Sequence, residues 1–295
     1  MSAAWTDLGG GIRVRQSAAF WMNSVVLLDR EHSWLIDPGV LPSELDDIAA
    51  VVAAVKPAQL SLFLTHAHWD HVIGRPWWPT ARVVAHDSLR AETTRDAAKI
   101  LGKISELAIA HGESWTRGFS PSVVDDAVSG LRFVKAEPWR LVFRDAPGHA
   151  LSQLTMHLPD ARVLIAADML SDVEIPSLDG PPERYRETLE PLLPLAEHGA
   201  IETLVPGHGA IAHGRDAVLA RFEHDLGYLE ALTREVAEAR GAGADEDGTV
   251  ARLDAMHYTG KGDAVWDTTA FHRENVRQAF RAATRPRPGS RPLRR

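Results

Sequence analysis

Cysteine is absent from all 295 residues, which excludes a disulfide framework, a thiolate nucleophile and a zinc site built on sulfur. Any metal must therefore be held by nitrogen and oxygen. Long apolar runs are missing as well. The longest, Ile48 to Val55, spans eight residues, far short of the roughly 20 that a membrane-spanning helix needs. The opening stretch, MSAAWTDLGGGIRVRQ, has neither a basic leader nor an apolar core, so no secretion signal is expected and the cytoplasm is the expected compartment. Basic charge is scarce outside the C-terminus. The chain carries −8 overall, yet its last fifteen residues hold six arginines and no acid, which leaves residues 1–280 at −14. A body that acidic repels polyanions, so neither nucleic acid nor a membrane is an expected partner. The Arg- and Pro-rich residues 284–295 read as a solvated tail.

What remains is 45% hydrophobic, enough to build a large core. Short β-type runs separated by glycine turns open the chain: Gly11 to Gln16, Asn23 to Asp29 and His32 to Asp37, an expected antiparallel meander. Ser43 stands three residues before Asp46 as a capping-box variant, and apolar residues then recur at helical spacing to Val55. Strands are expected at Leu60 to Leu64, Arg82 to Ala85, Trp139 to Arg144, Gln153 to Leu158, Arg162 to Ala166 and Ile201 to Val205. A helix is expected from Ser88 to about Gly112, followed by an irregular piece from Glu113 to Pro138. The expected later helices are Glu183 to Glu197, Asp216 to Arg240 and Trp266 to Ala283, with an acidic loop from Gly241 to Gly248. Strands in two blocks, each followed by helices, predict an α/β fold of two similar halves with facing sheets and helices outside. The expected organisation is one domain over 1–283, with a helical insertion at about 88–137 and C-terminal helices at about 216–283.

The chemistry concentrates after the apolar run LSLFL, in Thr65-His66-Ala67-His68-Trp69-Asp70-His71. Packing alone does not select four metal-ligating groups within six residues. In extended chain, residues i and i+2 point the same way, so His66 and His68 can grip one ion. Asp70 and His71, at the following turn, can face a second. Three more candidates sit at strand ends: His149 in Ala146-Pro147-Gly148-His149, Asp168 after the strand from Arg162, and His208 in Pro206-Gly207-His208-Gly209.

The order His66-x-His68-x-Asp70-His71, His149, Asp168, His208 resembles the metallo-β-lactamase-fold superfamily over about residues 11–214, including the early Asp37-Pro38-Gly39 turn. The resemblance implies an αββα sandwich. It implies further that His66, His68 and His149 bind a first metal, that Asp70, His71 and His208 bind a second, and that Asp168 bridges them. Two departures stand out. Ile73 occupies a position where the family usually has glycine, and Ser171 stands where the homoserine-lactone hydrolases of this fold carry tyrosine. Of the other histidines, His86, His213 and His272 lie in segments that could approach the metals, and Trp69 sits at the expected mouth of the site.

Two divalent ions sharing a bridging hydroxide would supply a nucleophile without serine or cysteine. Asp70 and Asp168 are accordingly the carboxylates closest to the expected chemistry. The ions implied are Zn²⁺ foremost, with iron or manganese as options. The expected function is a binuclear hydrolase acting on the carbonyl of a small ester, thioester or lactone. An iron-dependent oxidoreductase of the persulfide dioxygenase kind and a phosphodiesterase are the alternatives. The β-lactamases of this fold are exported and lack a bridging aspartate, which argues against that activity. The sequence does not fix the oligomeric state; a homodimer is one option.

Overall fold

The computed structural model describes residues 5–256 and 268–284. Seven strands form the first sheet in chain order: β1 (Trp5–Gly9), β2 (Ile12–Gln16), β3 (Asn23–Leu27), β4 (His32–Ile36), β5 (Gln59–Leu64), β6 (Arg82–His86) and β7 (Asp126–Val128). Six form the second: β8 (Leu131–Ala136), β9 (Trp139–Asp145), β10 (Leu154–Leu158), β11 (Val163–Ala167), β12 (Thr203–Pro206) and β13 (Ala212–His213), again in sequential order. Strands β1 to β4 are the expected antiparallel meander. Pairing turns parallel wherever a crossover intervenes, through α1 (Pro42–Val55) between β4 and β5 and through α2 (Leu89–Ala110) between β6 and β7. In the second half, α3 (Pro182–Leu189) and α4 (Leu193–Glu197) cross from β11 to its parallel neighbour β12. Helices α5 (Arg215–Gly241), α6 (Glu246–Leu253) and α7 (Thr268–Thr284) follow.

Alternation along the strands builds the layers. In β5, Phe63 faces the second sheet while Leu62 and Leu64 pack beneath Leu45 and Ile48 of α1 and Ile100 of α2. In β11, Val163 and Ile165 face the first sheet while Leu164 and Ala166 join Phe222 and Leu229 of α5. Three apolar layers follow, one between the sheets and one outside each, and the αββα sandwich is the result. Aromatic residues close the central layer: the rings of Phe63 and Phe143 lie 5.0 Å apart and those of Trp34 and Phe143 5.9 Å apart.

Several local expectations need correction. The piece from Glu113 to Pro138 is not irregular throughout, because it contains β7 and β8. β8 pairs with β9 from Leu131↔Arg144 to Ala136↔Trp139 with Leu131 and Phe133 exposed and Val134 and Ala136 toward the core, so its apolar residues fall on both faces. β1 was hidden by the Gly9-Gly10-Gly11 turn that joins it to β2. The acidic loop contains the start of α6, where Asp245 Oδ1 accepts from Gly248 N at 2.8 Å as an N-cap. At α1 the cap residue is Leu41, whose N–H donates to Glu44 Oε2 at 3.4 Å, while Ser43 donates instead to Glu113. The tail 285–295, the segment 257–267 and the expected helix start at Trp266 lie outside the described residues.

Phe143 is fully buried between the sheets. Its replacement by alanine should cost about 3–5 kcal/mol of unfolding free energy, read from the urea midpoint. A loss below about 1 kcal/mol would contradict a close-packed inter-sheet layer.

Candidate metal centre

Parallel strands deliver their chain ends to one edge of a sheet, which is where α/β folds place their sites. Asp37 follows β4, the His66–His71 segment follows β5, Asp168 follows β11 and His208 follows β12. His149 arrives on the turn between β9 and β10. All seven expected residues come together, in two groups: His66, His68, His149 and Asp168, then Asp70, His71 and His208.

Asp168 stands between the groups and offers one oxygen to each. Its Oδ2 lies 3.3 Å from His149 Nε2 and 3.5 Å from His66 Nε2. Its Oδ1 lies 3.1 Å from His71 Nε2 and 3.7 Å from His208 Nε2. His208 Nε2 also sits 3.3 Å from Asp70 Oδ2, and His149 Nε2 lies 2.8 Å from His68 Nδ1. Donors held about 2.0–2.1 Å from a tetrahedral ion are themselves about 3.3 Å apart, so the spacing fits. Buried His66 Nε2, His71 Nε2 and Asp168 Oδ1 have no hydrogen-bond partner of their own. Native interiors rarely leave such atoms unpaired. Together these observations fit a binuclear divalent metal site.

The electrostatics differ between the two groups. Desolvation lowers His66 to about 4 and holds His68 well below 6.5, with neighbouring imidazolium charge acting in the same direction, so both rings are neutral at pH 7. Burial would also lower His71, but Asp168, Asp70 and Asp37 outweigh it and raise the ring well above its ordinary value. His208 is likewise pulled down by burial but pushed up to about 10, chiefly by Asp168 and Glu174. Burial would raise Asp168 and Asp70; the surrounding histidines, His71 first, hold both carboxylates below their ordinary range.

Around the seven lies a supporting layer. Asp37, at φ 43°, accepts from Thr65 N at 2.8 Å and Thr65 Oγ1 at 2.5 Å and lies 2.8 Å from His71 Nδ1, so it orients that ring. His208 Nδ1 is fixed by Phe20 O at 2.9 Å. Gly207 is required by contact: a Cβ there would stand 2.0 Å from Asp168 Oδ1. Ile73 is buried under the first sheet, and the close approach falls to Gly74, where a Cβ would meet Pro38 O at 2.5 Å. Ser171 is buried and donates to His208 O at 2.8 Å, which makes it a brace for that loop. The C-terminal helices fasten the segment after Asp168. Asp225 accepts from Leu170 N at 2.9 Å and Tyr185 Oη at 2.8 Å, and Asn275 accepts from Leu178 N at 2.9 Å and donates to Pro176 O at 2.5 Å.

Above the cluster opens a cavity of ≈ 500 Å³, walled by α2 and α7, with Trp69 and Glu174 lining it. Trp69 stands at the mouth as expected, braced by an edge contact with Phe20 at 5.9 Å. Of the three other histidines, none lines the cavity. His86 connects through Ser88, Glu92 and Ser152 to Ala67 N, inside the motif. His213 is exposed in β13, and His272 is buried between Tyr228 Oη and Leu253 O. Sequence reasoning missed Glu174. It is half-buried, and desolvation pushes its carboxyl up to about 7 against the pull of His208. Its only signal was an acid between two β-branched apolar residues, Val173 and Ile175, six residues after Asp168.

A family model described as Metallo-beta-lactamase superfamily matches residues 20–208. No curated protein matches the chain. Among solved structures, the stereoselective inverting sec-alkylsulfatase Pisa1 from Pseudomonas sp. is similar, with TM-score 0.66 and 13% identity over 96% of this chain. The chain spans 50% of that enzyme's length. The BLEG-1 B3 metallo-beta-lactamase gives TM-score 0.55 and 19% identity, covering 72% of this chain and 97% of its own. A metallo-beta-lactamase from Pontibacter korlensis gives 0.55 and 14%, covering 77% and 99%. At these identities the likeness is one of fold.

Two outcomes follow. Gly207→Ala should displace Asp168 and weaken metal affinity by roughly 10–100-fold while leaving circular dichroism unchanged. Wild-type affinity in chelator competition would contradict the contact. Protons on His71 and His208 must leave before an ion can bind there. Binding at that group should therefore weaken as pH falls from about 8 to about 6 and release protons, measured by calorimetry in buffers of different ionisation enthalpy. Binding of both ions without proton release would contradict it.

Proposed function

The chain belongs to the metallo-beta-lactamase superfamily, and on that premise we propose that it is a binuclear, Zn²⁺-dependent hydrolase of small esters, thioesters or lactones. The observation that carries this reading is the placement of Asp168, with one carboxylate oxygen toward each histidine group. His66, His68 and His149 would hold one ion and Asp70, His71 and His208 the other, with Asp168 shared. Bound ions there supply Lewis acidity, polarising a carbonyl and bringing water within reach of deprotonation near neutral pH.

The remaining work falls to the chain's own side chains. Asp37 holds His71 by its Nδ1, leaving Nε2 to face Asp168 and Asp70. Trp69 gives the substrate an apolar wall and narrows the approach of bulk water. Glu174 lines the same cavity, and its carboxyl, raised by burial, would be the group to return a proton to the leaving group. A cavity of ≈ 500 Å³ suits a small molecule rather than a polymer. No helix among the described residues is long and apolar enough to cross a membrane, which accords with the cytoplasmic location we propose.

Asp168→Ala should abolish most hydrolysis while leaving the circular-dichroism spectrum of the folded protein close to wild type, because the sheets and not the metals form the core. Near wild-type turnover with both ions bound would contradict the shared-ligand role. Substrate class is tested by kcat/KM over matched carboxyl esters, thioesters, lactones, sulfate esters and phosphodiesters at fixed salt. A carbonyl substrate should lead, and a sulfate ester or phosphodiester better than every carbonyl compound by about tenfold would overturn the reading.

A further inference from the structure

One wall of the cavity beside the metal cluster carries two lysines that make no salt bridge among the described residues. Lys99 and Lys103 lie one helical turn apart on α2, both exposed, with Ile100 between them anchoring that face in the core. Lys103 Nζ stands 5.5 Å from the centre of the Trp69 ring, so its charge lies over the aromatic wall beside the metal motif. Two carboxylates also line this rim, each with an arginine partner, and Asp96 also feels the charge of Lys99 three residues on. Asp96 receives Arg95 at 2.7 Å, and Glu274 has Arg277 and Arg281 each at 3.9 Å. Among the described residues, neither lysine has a carboxylate within ion-pair distance. Two cations that line a cavity without a salt bridge, on a body whose residues 1–280 carry −14, set positive charge at this rim against the overall charge of the protein.

From this juxtaposition we infer that Lys99 and Lys103 form an anion-recognising subsite, and that the substrate carries a carboxylate, sulfonate or similar anionic group at the end remote from the scissile carbonyl, joined by a short apolar stretch that lies on Trp69. The inference rests on the carbonyl-hydrolase reading for its orientation and refines it by assigning the substrate a charged end. The lysines bind and orient; bond cleavage stays at the metal cluster. Because both ammonium groups are exposed, their pull is screened by salt.

The test compares aryl esters of glutaric acid bearing a free ω-carboxylate with the same esters capped as methyl esters, and adds ω-sulfonate and ω-ammonium counterparts of equal length. The wild-type holoenzyme should favour either anion over the capped ester by about tenfold in kcat/KM at low salt, mostly through KM. The ω-carboxylate and ω-sulfonate arms show which anion is preferred. In K99Q/K103Q the preference should fall to about twofold or less, and in K99E/K103E it should turn toward the ω-ammonium ester. An independent readout is calorimetric binding of pentanesulfonate, which the wild type should bind at least about tenfold more tightly than K99E/K103E. If no ester is turned over while that difference persists, the hydrolase reading fails and the subsite stands. A wild type indifferent to the ω-charge, or a preference and sulfonate affinity that survive charge reversal, would overturn the subsite.

Discussion

The buried carboxylate of Asp168 is the constraint to which the rest of the structure answers. It sits between four imidazole nitrogens, with Oδ2 toward His66 and His149 and Oδ1 toward His71 and His208. A lone carboxylate at that depth would be costly, and so would the histidines without an opposite charge. Packed together they compensate in part, yet Oδ1 of Asp168 and Nε2 of His66 and His71 still have no hydrogen-bond partner. Divalent ions between the two groups would complete the balance, and this couples the architecture of the site to its chemistry.

The scaffold reads as a means of holding that arrangement rigid. The first half supplies four ligands from one strand end and orients His71 through Asp37, whose left-handed backbone turns it back toward Thr65. The second half supplies His149, Asp168 and His208, with Gly207 bare so that its backbone can approach the shared carboxylate. The halves are tied where they meet: Asn23 Nδ2 donates to the carbonyls of Pro206 and Gly209 at 2.9 Å, and Leu154 N donates to Thr65 O at 2.8 Å. Helices α5 and α7 then extend the same logic outward, because Asp225 and Asn275 fix the loop that carries Glu174 and Ile175 into the cavity.

Much of this was legible in the residues. Histidines and aspartates at two-residue spacing after an apolar strand are unusual enough to announce a metal cluster, and strand alternation announced the layers. Legibility failed where tertiary pairing outweighs local pattern. β8 is defined by its partner β9 and exposes Phe133, so its composition carries no periodic signal. The start of α6 was concealed because Asp245, Glu246 and Asp247 look like a solvated run when they are a cap and an acidic first turn. Glu174 and the pairing state of Lys99 and Lys103 depend on which helices wall the cavity, and no local motif encodes that.

The measurement that bears most directly on the account is the number and position of ions in the metal-replete, active protein, by elemental analysis joined to anomalous diffraction at the metal edge. The account predicts two ions per chain, one held by His66, His68 and His149, the other by Asp70, His71 and His208, with Asp168 a ligand common to both. A single ion in fully active protein, or two ions with Asp168 bonded to neither or to only one, would contradict it.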